Sequence, residues 1–304
     1  MFEKQPEIAS VVITYFPEIS LLHSVLNSLA SCSKIVFLYD NGSGNIEQIH
    51  KCSLLYKNIL IFENKENKGI SYNLNKALRE AKAYSCDWLL TMDQDSIISN
   101  EGILLFKKAI LTSKKDVASL TPWIYYRNFS SSEKKPKEGV SSVSSCITSG
   151  NLIYVKAALD IGGFDERYFI DFVDIEFCKR LTEHNLKILR INNIVLNHDL
   201  GGARQFRLLG HIFFVYRKKA IRLYYIFRNQ LYFIRQHYSG TKKHILILLS
   251  SINRALYFLD YPISQWGKLR KIIKAAKKDS KSEKTMGRCQ NPIITEGKME
   301  IIHD

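Results

Sequence analysis

The 304-residue sequence lacks the features that define several classes of protein. Its six cysteines stand far apart, with no CxxC pair and no histidine at metal-ligand spacing, so neither a zinc site nor a disulfide framework is predicted. This use of cysteine indicates a reducing compartment. The first residues do not have the layout of a signal peptide. No stretch reaches about 18 uninterrupted apolar residues, so no membrane-spanning helix is predicted.

Acidic residues are scarce only in the last third of the chain. Residues 1–200 contain 23 Lys+Arg and 23 Asp+Glu, whereas residues 201–304 contain 21 and 6. The formal charge of +15 therefore comes entirely from the last third. We expect the basic surface to belong to an appendage and not to the main domain.

In the first 120 residues, short apolar runs alternate with segments in which apolar residues recur at helical spacing. Strands are predicted at residues 8–15, 35–39, 59–62 and 88–92, with helices between them. This rhythm predicts an α/β fold with right-handed crossovers and a mainly parallel sheet flanked by helices. The polar turns that follow these strands gather along one edge, which predicts a ligand crevice there.

Two carboxylates, Asp93 and Asp95, follow the strand at residues 88–92. They project to the same side if the chain stays extended. Two such oxygen donors can hold a divalent cation, and a cation with open positions can hold a diphosphate. Asp-x-Asp is a short motif, however, and an ordinary strand-to-loop turn is the alternative.

The remaining chain is predicted to form a further part of this domain and an appendage. We place the main domain at residues 1–204, with one half at about 1–121 and a second half at about 122–204. Residues 129–145 are rich in Ser and Lys without periodicity, which is typical of a loop or lid. Residues 205–278 are basic, aromatic and predicted helical, and residues 279–304 are predicted to be disordered.

A set of short motifs, in this order and spacing, resembles the inverting glycosyltransferases of family 2, which have the GT-A fold: Thr14-Tyr15, Asp40-Asn41-Gly42-Ser43, Asn67-Lys68-Gly69 with Asn75, Asp93-Gln94-Asp95-Ser96, Ser149-Gly150-Asn151, Gly163-Phe164-Asp165-Glu166, Asp174-x-Glu176 and His198-x-x-Gly201. The Asp-Gln-Asp-Ser form is more specifically similar to bacterial rhamnosyltransferases. So are Phe169-Ile170-Asp171 and Tyr224-x-x-x-Arg228-Asn229.

The resemblance implies a site for a nucleotide sugar. Its binding residues would be Thr14, Tyr15, Asp40, Gly69, Asn75, Asp93 and Arg228, and Mg²⁺ or Mn²⁺ would be held by Asp95, Asp93 and His198. The carboxylate of Asp40 suits the N3–H of uracil or thymine, although an Asx turn that caps the strand is an equal alternative. The alternatives are a solvated helix face for Asn75, a structural histidine for His198 and one more helix cation for Arg228.

Asp174 is the candidate general base. In direct displacement at an anomeric carbon, the acceptor hydroxyl must lose its proton as it attacks, and a carboxylate can accept that proton. Family members usually carry Glu-Asp-x-Asp here, whereas this chain has Val173-Asp174-Ile175-Glu176. For Asp171 and Glu176 the alternative is a charge that complements the helix dipole, and we favour it for Glu176.

The predicted reaction is transfer of L-rhamnose from dTDP-L-rhamnose to a lipid-diphosphate-linked glycan of bacterial surface polysaccharide. A UDP-hexose donor is the alternative. The basic, aromatic region is predicted to bind an anionic membrane surface, so the protein would be cytoplasmic and peripheral on the inner face of the membrane. Nucleic acid is not the expected partner. A non-catalytic basic membrane or nucleic-acid binding protein remains an alternative, whereas a nucleotidyltransferase would need a Gly-rich phosphate loop that residues 14–17 do not provide.

Overall fold

A computed structural model describes residues 6–126, 136–198, 203–208, 210–216, 218–290 and 294. Its strands are β1 (Ile8–Thr14), β2 (Ile35–Asp40), β3 (Ile59–Glu63), β4 (Trp88–Asp93), β5 (Val117–Tyr126), β6 (Val140–Val143), β7 (Asn151–Tyr154), β8 (Lys187–His198), β9 (Ala203–Leu208) and β10 (His211–Tyr216). Its helices are α1 (Ile19–Ala30), α2 (Ile46–Ser53), α3 (Ile70–Ala83), α4 (Asn100–Thr112), α5 (Val155–Asp160), α6 (Val173–Glu183), α7 (Ala220–His237), α8 (Gly240–Asp260) and α9 (Trp266–Asp279).

Eight strands form one mixed, mostly parallel sheet in the order β3-β2-β1-β4-β7-β5-β8-β6. The first four are parallel to one another, as the alternation of strands and helices predicts. β7 runs antiparallel to both of its neighbours, β4 and β5. The predicted α/β fold, with a mainly parallel sheet flanked by helices, is confirmed.

The core of this sheet follows from the sequence pattern. β1, β2 and β4 are buried along almost their whole length, which is typical of parallel strands covered on both faces. Helix α1 buries Leu22, Val25, Leu26 and Leu29, at the spacing of one helical face. These side chains join the strands in one continuous apolar cluster.

The chain divides into two compact units. Unit 1 comprises Met1–Glu166 and Val173–Asp199, and unit 2 comprises Arg167–Phe172 and Leu200–Asp304. We had placed the boundary near residue 204, and the short segment 167–172 inside the main domain. Unit 2 has its own apolar core, built from α7, α8, α9 and the β9–β10 hairpin.

Three parts of the chain differ from the sequence prediction. The predicted loop at 129–145 contains strand β6, which pairs with β8; residues 127–135 lie outside the described residues. The predicted helical region from residue 205 begins with the β9–β10 hairpin, whose inward residues Phe213 and Val215 alternate with less buried neighbours. The tail predicted to be disordered packs at Asp279–Gln290 through polar contacts that composition does not reveal, and 291–293 and 295–304 lie outside the described residues.

No helix among the described residues is both long and apolar enough to cross a membrane.

Candidate active site

Strands β1, β2 and β4 bring three of the predicted site residues to one edge of the sheet. In the parallel register, Thr14 lies beside Asp40, and Ile13 lies beside Asp93. The strand order reverses at β1, which has β2 on one side and β4 on the other. Open α/β sheets bind ligands in the crevice at such a switch point. The ends of β1, β2 and β4 therefore form the candidate crevice.

The carboxylate of Asp40 is 1% exposed and accepts four hydrogen bonds. They come from Thr14 Oγ1 at 3.0 Å, Gly42 N at 2.8 Å, Ser43 N at 2.8 Å and Ser43 Oγ at 2.5 Å. An ionised carboxylate has about four acceptor positions. The strand-capping turn that we left open is therefore present in the structure, and recognition of a base by Asp40 stays a prediction.

Two aromatic rings lie exposed directly after β1. Tyr15 and Phe16 are 50% and 57% exposed, and their rings meet edge to face with centroids 4.8 Å apart. Phe16 has φ of 48°, and its N–H donates to Ser43 Oγ at 2.8 Å. A bulky side chain at positive φ is strained, and such strain often occurs at functional sites. The sequence did not single out Phe16, because no motif reports backbone strain.

A network of amide side chains fixes the loop between β3 and α3. Asn41 Oδ1 accepts from Asn73 Nδ2 at 2.7 Å and from Lys68 N at 3.2 Å, and Asn64 Nδ2 donates to Asn73 Oδ1 at 2.8 Å. Asn73 Nδ2 also donates to the carbonyl of Gly69 at 2.9 Å. Gly69 caps α3 at φ of 89°, a conformation that favours glycine. Gly69 thus shapes the helix start, and Asn64 and Asn73 are residues that the sequence analysis missed.

Gln94 separates the two acidic side chains of the Asp-Gln-Asp motif. Its Oε1 accepts from Tyr15 N at 2.8 Å and its Nε2 donates to Tyr15 O at 3.4 Å, so it joins the loops after β1 and β4. Asp93 is half-buried, and its N–H donates to Ser149 Oγ at 3.2 Å. Asp95 is exposed. The middle residue of the motif therefore holds the backbone, while Asp95 faces solvent.

The predicted metal ligands are not gathered into a preformed cage. Among the described residues, no group of three or more His, Cys, Asp or Glu side chains is arranged to hold a metal ion. His198 Nδ1 lies 3.4 Å from Ser96 Oγ, which places this histidine beside the residue that follows Asp95. Mg²⁺ is commonly bound by one or two carboxylates together with substrate phosphates. The donor set therefore fits an open site that a diphosphate completes. Gly201, the last residue of the His198 motif, lies outside the described residues.

Asn75 holds the turn that precedes α6. It is buried, its Nδ2 donates to the carbonyl of Phe164 at 2.9 Å and to Glu166 Oε1 at 2.9 Å, and its Oδ1 accepts from Phe164 N at 2.7 Å. Gly163 has φ of 71°, and a Cβ there would lie 2.4 Å from Asn75 Oδ1. Phe164 stacks on Phe177 of α6, with centroids 4.2 Å apart. Asn75 is thus not on a solvated helix face; it positions this turn, and its contact with a nucleotide stays a prediction.

The candidate base Asp174 lies in the first turn of α6 and is half-buried. Its Oδ1 accepts from Ile175 N at 2.8 Å. Glu176 is fully buried and forms a bidentate pair with Arg180, at 2.6 and 2.8 Å. Arg180 also donates to the carbonyl of Ile161 at 2.9 Å. Glu176 therefore anchors the helix through Arg180 in addition to its place near the dipole, and Asp174 is left as the more accessible acid.

The glycosyl transferase family 2 model matches residues 10–164, just over half of the chain. This chain belongs to glycosyl transferase family 2. The matched range contains Thr14, Asp40, Asp93 and Asp95, whereas Asp174 and His198 lie beyond it. The protein is therefore a glycosyltransferase with the GT-A fold, and members of this family use nucleotide-sugar donors.

Three known proteins show the range of this similarity. The chain is 27% identical over 267 residues to the dTDP-rhamnosyl transferase RfbF of Shigella flexneri, covering 80% of this chain and 83% of RfbF. The structure of GalNAc-T7 with UDP, GalNAc and Mn²⁺ is 14% identical, with a TM-score of 0.61; the match covers 93% of this chain but only 58% of GalNAc-T7. The structure of S. aureus TarS with UDP-GlcNAc is 16% identical, with a TM-score of 0.59, covering 90% and 80%.

Arg228 of this glycosyltransferase is buried inside unit 2. Its side chain, at 0% exposed, donates to Asn229 Oδ1 at 3.0 Å and to the carbonyls of Thr285 at 3.0 Å and Gly287 at 2.9 Å. Its guanidinium also lies over the ring of Tyr225, 4.9 Å from the centroid. A fully buried guanidinium with these partners anchors the segment after α9, so we favour a structural role for Arg228 over the predicted binding of the donor.

Asn229, the neighbour of Arg228, fixes a strained pair of residues just before α6. Its Nδ2 donates to the carbonyls of Ile170 at 2.8 Å and Asp171 at 2.9 Å. Asp171 and Phe172 have φ of 61° and 67°. Asp171 pairs with Arg222 at 2.7 Å, and burial raises the pKa of the Asp171 carboxyl, although Arg222 opposes that shift. Asn229 therefore holds the backbone of Asp171 and Phe172, the two residues that precede α6 in the sequence.

Proposed function

We propose that this glycosyltransferase transfers L-rhamnose from dTDP-L-rhamnose, with inversion, to a hydroxyl of a lipid-diphosphate-linked glycan. The observation that carries the proposal is the accessible Asp95 carboxylate at the sheet's switch point, in a chain 27% identical to a dTDP-rhamnosyl transferase. The product would be part of a bacterial surface polysaccharide.

The end of β4 is the proposed diphosphate site. Asp95 and Asp93 would hold Mg²⁺ or Mn²⁺, and His198, beside Ser96, is the third proposed ligand. When bound, such a cation supplies positive charge that stabilises the departing nucleoside diphosphate. Gln94 keeps the two acids in place through its paired hydrogen bonds to the backbone of Tyr15.

The ends of β1 and β2 are the proposed site for the thymine base. The exposed ring of Tyr15 offers a stacking surface. Asp40 could accept the N3–H of thymine in place of the bond from Ser43 Oγ, because a hydroxyl can rotate away while the two backbone N–H donors stay in position. Thr14 would still donate to that same oxygen, Oδ1, while the N–H groups of Gly42 and Ser43 hold the other oxygen, Oδ2.

Asp174 is the proposed general base. The acceptor oxygen forms a bond to the anomeric carbon while the bond from that carbon to the diphosphate oxygen breaks, and the leaving diphosphate takes the electron pair. The acceptor hydroxyl proton passes to the carboxylate of Asp174, a contribution of about 10²- to 10⁴-fold. Asn75, Gly163 and the Phe164–Phe177 stack would fix α6 during this transfer.

A donor panel tests the proposal. The purified protein, a membrane lipid extract dispersed in detergent and Mn²⁺ or Mg²⁺ are incubated with dTDP-L-rhamnose, UDP-galactose, UDP-glucose or UDP-N-acetylglucosamine. We expect labelled sugar to reach the lipid fraction from dTDP-L-rhamnose. Transfer from a UDP-sugar alone would overturn the assignment of the donor, and transfer from no donor would support the non-catalytic alternative.

A further inference from the structure

After its first turn, helix α8 buries its charged side chains and exposes several apolar ones, which is the reverse of an ordinary surface helix. Arg254 and Asp260 are buried, at 6% and 5% exposed, whereas Leu248 and Leu259 are 61% and 73% exposed. A helix at a protein surface normally buries its apolar face and exposes its charges. The outer side of α8 is therefore suited to an apolar environment.

The exposed apolar residues of α8 form one continuous stripe. Ile245, Leu248, Ala255 and Leu259 are exposed and, together with the half-buried Ile252, recur at intervals of three and four residues, so they share one face of the helix. At 1.5 Å per residue the stripe is about 21 Å long. From Ile245 to Leu259, five residues of the helix are exposed and none of them is charged: Ile245, Leu248, Ser251, Ala255 and Leu259.

The buried charges of α8 have partners inside unit 2. Arg254 Nη2 donates to Ser251 Oγ at 2.8 Å, and Nη1 donates to Ser250 Oγ. Burial lowers the pKa of the Arg254 guanidinium to about 10. Asp260 pairs with Arg204 at 2.9 Å. These groups are therefore held inward, and the outer face is left without charge.

Cations lie near both ends of the stripe. Lys242 and Lys243 precede Ile245 within the first turn of α8, and Lys242 lies over the ring of Tyr238 at 4.9 Å. Near the other end, Arg270 of α9 lies 5.9 Å from the ring centroid of Phe258, the neighbour of Leu259. An apolar stripe bordered by cations complements an anionic lipid surface. A second copy of this basic unit would fit less well, because like charges repel.

The other elements of unit 2 do not offer such a face. The aromatic side chains that we expected at lipid headgroup depth, among them Tyr224, Tyr225 and Phe227 of α7, are core residues. Helix α9 packs Leu269, Ile272 and Ala276 inward, so its outer surface is basic without an apolar stripe.

We propose that the α8 stripe is an interfacial membrane-binding surface, lying in the headgroup region of an anionic bilayer with Ile245, Leu248 and Leu259 inserted. This inference deepens the proposed function, since it gives the protein a way to reach a lipid-linked acceptor.

The test is flotation of the full-length protein with vesicles, without donor or acceptor. The vesicles contain phosphatidylcholine with or without phosphatidylglycerol. The test variant is L248S/L259S, and the matched control is L54S/L55S, which changes two leucines of unit 1 that are also exposed. We expect wild type and control to float with anionic vesicles, and binding of the α8 variant to fall by about tenfold or more.

A second readout does not depend on loss of binding. The indole fluorescence introduced by Leu248→Trp should be quenched by lipids that carry a quencher in the upper part of the acyl chain, whereas that introduced by Leu54→Trp should not. Equal flotation of the α8 and control variants, absence of flotation by wild type, or absence of quenching in Leu248→Trp would overturn the proposal. So would sedimentation showing a wild-type dimer that L248S/L259S converts to a monomer.

The result of the flotation test is independent of the result of the donor panel. The detergent-dispersed assay needs no vesicle surface, so sugar transfer there with no flotation would leave the proposed function intact and reject the α8 surface. Flotation without sugar transfer would do the reverse.

Discussion

Unit 1 and unit 2 both bury charged side chains that belong to family motifs, but the surroundings differ. At the end of β2, buried Asp40 gathers four hydrogen bonds at the edge of a crevice, where exposed Asp95 also stands. In unit 2, the guanidinium of Arg228 donates hydrogen bonds to the backbone carbonyls of Thr285 and Gly287. Burial alone therefore does not separate a ligand candidate from a structural charge, because both residues are buried: Asp40 lies at the crevice and accepts from a hydroxyl that can rotate away, whereas Arg228 is bonded to backbone carbonyls.

The largest expected effect is a loss of sugar transfer without a loss of stability, caused by a substitution in unit 1. Asp95→Ala should lower sugar transfer by about 10³-fold, because it removes a carboxylate from the proposed diphosphate site. The unfolding midpoint should not change, since Asp95 is exposed. Transfer rates and thermal unfolding are measured beside Asp87→Ala, an exposed aspartate at the opposite end of β4. Equal activity of the two variants would contradict this role.

For Arg228 in unit 2 we expect the reverse, a loss of stability without a loss of affinity for the nucleotide. Arg228→Ala should lower the free energy of unfolding by about 3 kcal/mol, because buried carbonyls lose charged donors and a cavity remains. The affinity of the folded protein for dTDP should not change. Urea unfolding and calorimetry are compared with those of Arg270→Ala, which is exposed on α9. Loss of dTDP affinity with unchanged stability would restore Arg228 as a donor ligand.

A smaller effect tests the turn before α6. Gly163→Ala should cost about 1–3 kcal/mol of unfolding free energy, because its Cβ would clash with Asn75 Oδ1 at positive φ. Asn75→Ala should cost a similar amount, and the double variant less than the sum. Urea unfolding of all three variants measures this coupling. Strict additivity would show that the two residues do not act together.

The smallest effect concerns the pH dependence of stability. Burial raises the pKa of Asp171 in the folded state, so the folded protein retains this proton more than the unfolded chain does. From the ordinary Asp pKa of about 4 upward, this group should lower stability as the pH rises towards its folded value. Asp171→Asn should remove that part of the slope in urea unfolding measured at several pH values. An unchanged slope would show that Arg222 offsets the effect of burial.

The sequence predicted the elements whose signals are local. Buried β-branched runs and helical periodicity predicted β1, α1, β2, α3 and β4, and the position of Asp93 and Asp95 at the carboxyl end of β4 followed from that alternation. These signals suffice because parallel strands carry their polar turns to one edge.

Roles that depend on distant partners were not predictable. Asn75 acts on Phe164, 89 residues away, and Arg228 acts on carbonyls more than fifty residues away. Whether the aromatics of α7 face lipid or a core depends on α8 and α9, which one helix cannot reveal. The outward stripe of α8 was likewise hidden, since its spacing also fits an inward face.

The most direct test of the candidate active site compares Asp174→Asn with wild type in two measurements on one preparation. We predict that affinity for the nucleotide-sugar donor, measured by calorimetry, is retained, while transfer to the lipid acceptor falls by about 10²- to 10⁴-fold. Transfer at the wild-type rate, or equal loss of donor binding and transfer, would contradict the role of Asp174 as the base.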